Sequence, residues 1–221
     1  MNYKHLASAA FFASGLVAAS AQAQNISNGS LTGPIGNESA PPGWFIAGNQ
    51  TPSVPGPDTM DANSNLGIPG LQSFAAAPSA SPDGGTWVGL GADGTFFNAI
   101  SQSMTGLLVG QSYVVSWYSA NFGYTGGGGF AGSNAVEMRV NNGQQTIGSL
   151  RAAGPSWIQE SAFFVATAPT MGLFFFPNRT TRSFISIDGI QVTAVPEPAS
   201  PLLWAAGAAV VLTIARRRRP D

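Results

Sequence analysis

The 221-residue chain contains no cysteine, one histidine (His5) and one lysine (Lys4), and only 9% of its residues are charged. Without cysteine there can be no disulfide and no thiol nucleophile. His5 and Lys4 both lie in an N-terminal stretch that reads as a secretory leader. Lys4 precedes an apolar run, Leu6 to Ala19, and Ala21-Gln22-Ala23 supplies a small-residue cleavage site. The mature chain is expected to begin at Gln24, with neither histidine nor lysine before Val195. That excludes Ser-His-Asp chemistry, a conventional zinc site and Schiff-base chemistry. Between Gln24 and Val195 there are four arginines and eight acidic residues, so the central part carries about −4. It lacks the basic footprint that nucleic acid requires, and no nucleic-acid partner is expected.

What the chain has in quantity is glycine and proline, 28 and 16 residues, together with 44% hydrophobic residues. Gly/Pro punctuation between β-branched and aromatic runs predicts an all-β sandwich rather than disorder. Ser112 to Ala120 alternates Tyr113, Val115 and Trp117 against Val114, Ser116 and Tyr118. Strands are also expected at Thr86–Gly91, Phe96–Met104, Ala135–Val140, Thr146–Leu150, Trp157–Ala166 and Met171–Pro177. Asn141-Asn142-Gly143 reads as a hairpin turn. In Phe184–Thr193 the apolar phase changes at Asp188-Gly189, which predicts a β-bulge. Asn28 is expected on a short edge strand, a further strand runs through Trp44, Phe45 and Ile46, and Thr51–Asn65 reads as a surface loop. Trp44, Trp87, Trp117 and Trp157 fall on strands and are expected in the core.

The last 27 residues have three parts: Val195-Pro196-Glu197-Pro198, an uncharged run, and Arg216-Arg217-Arg218-Arg219. Ala199 to Ala215 gives 17 residues, roughly 25 Å of helix, against an apolar bilayer core of about 30 Å. Arginines that snorkel make such a short span workable, with the cluster on the cytoplasmic side. This tail resembles the PEP-CTERM sorting signal of Gram-negative bacteria. Tails of this kind are also filed as an ice-binding-protein C-terminal domain, but no repeated Thr ladder accompanies it here. The resemblance implies that Pro196, Glu197 and Pro198 form the recognition motif and Arg216 to Arg219 a stop-transfer cluster. It also implies an exosortase-type processing partner, a transient membrane anchor, and display on the cell surface or in an exopolysaccharide matrix. The expected layout is a leader at 1–23, a β-sandwich at 24–194 and the sorting signal at 195–221.

The order of landmarks from Asn28-Gly29-Ser30 through PPGW to FISIDGIQV is similar to that of the galactose-binding-like jelly rolls of carbohydrate-binding modules. That resemblance implies a structural Ca²⁺ between the opening strand and an acidic residue of the closing one. Asp188 matches and Asn28 is the nearest opening candidate, but Thr32 stands where an acidic residue is expected. No other cofactor is implied. Candidate glycan contacts are Tyr124 and Phe130, on a Gly-rich loop, with Asn121, Asn134 or Arg139. The open alternative is that these aromatics fold back over the end of the sandwich. The expected function is a non-catalytic glycan-associated module. The alternatives are a structural matrix protein without a ligand, or a glycosidase drawing on Asp83, Asp93, Glu137, Glu160 and Asp188.

Overall fold

The computed structural model describes residues 26–48, 56–63, 74–125, 129–132, 134–140, 145–152, 154–177 and 181–196. The predicted leader, the tail from Glu197 onward, and the turns at Gly126–Gly128 and Asn141–Gly143 lie outside the described residues. Among those described, ten strands form two five-stranded sheets: β1 Phe45–Gly48, β2 Asp58–Met60, β3 Trp87–Ala92, β4 Asn98–Thr105, β5 Ser112–Ala120, β6 Ala135–Val140, β7 Gln145–Ala152, β8 Ile158–Val165, β9 Thr170–Pro177 and β10 Ser183–Ala194. One sheet runs β2-β3-β10-β5-β8 and the other β1-β4-β9-β6-β7, and every pairing is antiparallel. Most connections pass from one sheet to the other, the wiring of a two-sheet jelly roll.

The alternation read in β5 is what builds the core. Tyr113, Val115 and Trp117 point between the sheets, joined there by Ile185 and Ile187 from β10 and by Met171, Leu173 and Phe175 from β9. Trp117 and Trp44 both pack edge-on against Phe175, with ring centroids 5.3 and 6.3 Å away. Each such side chain contributes roughly 1.5–3 kcal/mol through its burial. The predicted phase change in β10 is a real bulge. Its register against β5 slips between Asp188 and Gln191, and Gly189 adopts φ 59°. The Gly189 α-carbon also faces the Tyr118 ring, so a side chain there would be both strained and crowded.

Two expectations are corrected. The segment at Asn28 is a turn rather than an edge strand: Leu31 N–H donates to the Asn28 carbonyl at 3.1 Å, and both residues have positive φ. The strained backbone is held because Leu31 is fully buried in the core. The stretch Thr51–Asn65 is not wholly a surface loop, since Asp58, Thr59 and Met60 form β2 and are all buried. Gly36 and Thr59 exchange two backbone hydrogen bonds that fix this short strand to the opening segment.

Candidate functional site

Around β3 the first sheet is covered on both faces. On β3, Val88 and Leu90 face the core, while Trp87, Gly89 and Gly91 face the other way. Trp87 gathers Met60, Ala120, Phe122, Tyr124 and Phe184 into a second apolar layer on that outer face. The residues flanking the Gly-rich turn pair over it: Tyr124 N–H donates to Phe130 O at 3.2 Å, and Phe130 N–H donates to Tyr124 O at 2.7 Å. Ala75 and Ala76 tie the loop down from outside through the Gly123 and Phe122 carbonyls. Trp87 is thus a core residue, as expected, but of this outer layer rather than of the space between the sheets. Trp157 is half-buried at its rim and donates its indole N–H to Ser79 O.

Where β3 lacks a side chain, at Gly91, the layer leaves a partly open cavity of about 60 Å³. Its walls are Phe96, Tyr124, Phe130 and Phe184, and its polar residues are Asn37, Asp58 and Asn98. Phe96 is aimed into the wall by a tight turn in which the Asp93 carboxylate accepts from the amides of Thr95 and Phe96 and from the Thr95 hydroxyl. Those bonds, the hydroxyl's foremost, hold the Asp93 pKa below its ordinary value. Arg182 lies over Phe130, 4.7 Å from the ring centre, and approaches Asp93 at 3.8 Å. Phe130 in turn packs on Phe96, and Tyr124 on Phe184.

The polar side of the cavity is short of partners. Asn98 is 2% exposed; its amide donates to Gly56 O at 2.8 Å, but its side-chain oxygen has no hydrogen-bond partner. Asp58 accepts the Glu38 amide at 2.9 Å. Burial pushes its carboxyl up to about 7, against the opposing pull of that amide and with a smaller push from the Glu38 charge. Burial, and then the nearby Asp58, also raise the Tyr124 phenol. A cavity of this size has room for a few waters or the edge of one ring-sized polar group. It offers such a group apolar faces, an unpaired acceptor, and a carboxyl able to donate or accept near neutral pH.

Of the residues read from the sequence, Tyr124 and Phe130 line this cavity. Asn121 stands at the root of the loop, its amide donating to Gly132 O at 2.9 Å while its buried side-chain oxygen lacks a partner. Asn134 is buried and donates to the Ser183 hydroxyl. Arg139 is elsewhere, on the outer face of the second sheet, 2.6 Å from Glu137 and 4.3 Å above the Phe176 ring. Pro196 is exposed just past β10, whereas Glu197, Pro198 and Arg216 to Arg219 lie outside the described residues. Asp58, Phe96, Asn98 and Phe184 escaped the sequence reading. Asp58 sits in a three-residue strand inside a Pro/Gly stretch, too short for any period to show.

The five candidate carboxylates do not converge on the cavity. Glu137 pairs with Arg139, Glu160 accepts from the Ser119 hydroxyl, and Asp93 holds its own turn. Only Asp83 and Asp188 are close enough to influence each other. Asp188 is fully buried, and neither of its side-chain oxygens makes a hydrogen bond. Burial raises its pKa to about 7 and Asp83 adds to this. Ser81 and the Gly189 amide pull the other way without meeting hydrogen-bond geometry. Asn28 brings Asp188 no side-chain donor atom: its amide donates to the Thr32 and Pro42 carbonyls, and its oxygen accepts the Thr32 amide. Among the described residues no three acidic or His/Cys side chains gather as a metal-holding group. Asp188 and Asp83 are the acidic side chains that the structure brings to the predicted calcium position.

No family model matches the chain, and no curated protein matches it. Solved structures do. A Stig cyclase, Fisc from Fischerella sp. TAU in complex with (3Z)-3-(1-methyl-2-pyrrolidinylidene)-3H-indole, is 16% identical with TM-score 0.55, covering 81% of this chain and 100% of its own. A cyclase from the same organism in complex with 4-(1H-indol-3-yl)butan-2-one is likewise 16% identical with TM-score 0.55, over 80% of this chain and 100% of its own. TmCBM61 in complex with beta-1,4-galactotriose follows at 14% identity and TM-score 0.43, over 69% and 88%. At these identities the likeness to the cyclases is one of fold.

Proposed function

We propose that the chain is an exported surface or matrix protein whose sandwich is a non-catalytic module binding a glycan through the Asp58–Asn98 cavity. The observation that carries this reading is Asn98, which lines the aromatic-walled cavity and whose buried side-chain oxygen is unpaired. A buried acceptor without a partner costs roughly 1–3 kcal/mol. A sugar hydroxyl would relieve that cost while the ring faces of Phe130 and Tyr124 cover its apolar side. The tail composition supports export, membrane anchoring through 199–215 and processing by an exosortase-type enzyme at Pro196-Glu197-Pro198.

Glycan arrays and exopolysaccharide pull-downs with the purified protein test the binding. Saturable binding that Asn98→Ala and Tyr124→Ala abolish in folded protein is the expected result. No binding across the arrays would leave a structural matrix protein without a ligand. The mass of the protein recovered from its host tests the sorting: loss of Arg216 to Arg219 is expected, and their retention means permanent anchoring.

A second reading is favoured by Asp58 alone. A carboxyl with a pKa of about 7 in an apolar pocket is protonated often enough near neutrality to act as a general acid. Turnover of a bound ligand that Asp58→Asn removes without removing binding would establish it.

A further inference from the structure

The end of the sandwich from which the chain leaves is uncharged and greasy. Val195 N–H donates to Ser112 O, and the Gln111 amide donates to Val195 O, so the exit is pinned beside the β4–β5 turn. That turn carries Leu108 and Val109, 67% and 64% exposed. It is tied to the end of β8 by Gly110 N–H donating to Ala166 O. The register puts Ser112 opposite Val165 and Val114 opposite Phe163 on the outer face of the first sheet. Phe163 is 63% exposed and Val165 is 45%. Four of the large apolar side chains that face solvent thus ring the point where β10 ends.

The stretches that carry these four side chains hold no charge. The sequence has none between Asp93 and Glu137, none between Glu160 and Arg179, and none between Asp188 and Glu197. Beyond Pro196 only Glu197 and Pro198 separate the sandwich from Ala199, where the uncharged run leading to Arg216–Arg219 begins. At about 3.3–3.6 Å per residue, that connection reaches no more than roughly 10 Å. A domain held so close to a bilayer must present this end to it, and apolar side chains without neighbouring charges lose water favourably there.

We infer that Leu108, Val109, Phe163 and Val165 form a membrane-facing foot that seats the sandwich on the bilayer surface. The foot keeps the chain exit at Val195-Pro196 beside the headgroups, within reach of a membrane-embedded processing enzyme. The inference rests on the reading of 199–215 as a membrane span.

The chain has no cysteine, so a thiol introduced at one site can be labelled cleanly. Val109→Cys and Phe163→Cys place an environment-sensitive dye on the foot, and Ser156→Cys places one at the opposite end of β8. Each full-length protein is reconstituted in phosphatidylethanolamine/phosphatidylglycerol vesicles containing a doxyl-labelled lipid, with iodide as the aqueous quencher. The expected result is flotation with the vesicles, lipid quenching at 109 and 163, and iodide quenching at 156. Leu108→Asp with Val109→Asp should still float but lose lipid quenching of the dye at 163. Flotation with all three dyes equally open to iodide overturns the foot and leaves the span intact. Failure to float removes the span and the foot with it. Dye–dye contact between copies in lipid-free detergent would assign the patch to a second copy and overturn the proposal.

Discussion

The ring of Phe184 rests on the bare backbone of Gly89, so closely that a Cβ on Gly89 would overlap the ring edge and press on the Met60 sulfur. Phe184 is also a wall of the cavity. Gly89→Ala is therefore expected to cost about 1–3 kcal/mol by overpacking and to weaken ligand binding through the displaced ring. Thermal unfolding and a binding isotherm on the same preparation check both. Unchanged stability would mean that the outer layer gives way more easily than this packing implies.

Two buried carboxyls make stability depend on pH. Asp58 and Asp188 titrate near 3.8 as free groups and near 7 in the fold. Between those values the folded protein keeps protons that the unfolded chain has released. The stability they contribute is present in full below about 3.8 and is lost as pH rises through about 7, by at most about 4 kcal/mol per group. Denaturant melts in chelator between pH 5 and 8 should therefore show falling stability. Asp188→Asn should flatten the curve and be more stable than the native chain at pH 8. A less stable Asp188→Asn at that pH would contradict the account.

Arg139 tests where the binding face is. It stacks on Phe176 and pairs with Glu137 on the second sheet, away from the cavity. Arg139→Ala should cost about 1 kcal/mol or less, since both contacts are part-exposed. Any glycan affinity should remain unchanged. An affinity lost with Arg139 would move the site to the other sheet.

Trp157 pins the rim of the outer layer, with its ring centroid 5.4 Å from Trp87 and 5.6 Å from Phe122. Trp157→Ala is expected to cost about 3 kcal/mol, at the low end for a large aromatic because the ring is half-buried. Trp157→Phe should cost about 1 kcal/mol, for the lost bond to Ser79. Equal costs for the two would mean that the hydrogen bond, not the ring, holds the rim.

The inter-sheet core was legible because β-strands covered on one face alternate, and β5 alternates without a break. The bulge was legible for the same reason, since Ile187 and Ile190 cannot share a face in an unbroken strand. The outer layer hid itself from the same logic. On β3 it needs glycine at 89 and 91, so no side-chain pattern records it, and on β2 it needs only Asp58, Thr59 and Met60. Tyr124 and Phe130 could be picked out as loop aromatics. That they meet Asn98 and Asp58 depends on strand pairing across distant segments, which spacing along the chain does not encode. Asn28 shows the opposite error, where an Asn-Gly-Ser opening was given a strand although its side chain closes a turn.

β10 sits between β3 and β5, paired with β3 over residues 183–187 and with β5 from Ser186 to Ala194 across the bulge, and passes directly into Val195-Pro196. A pull on the tail would run along this central strand, perpendicular to its hydrogen bonds. The β5 ladder nearest the tail would then resist in shear, with the β3 ladder behind it at residues 183–187, instead of parting one bond at a time. The strand that carries the bulge and one wall of the cavity is thus also the strand through which any pull on the C-terminal end would enter the sandwich.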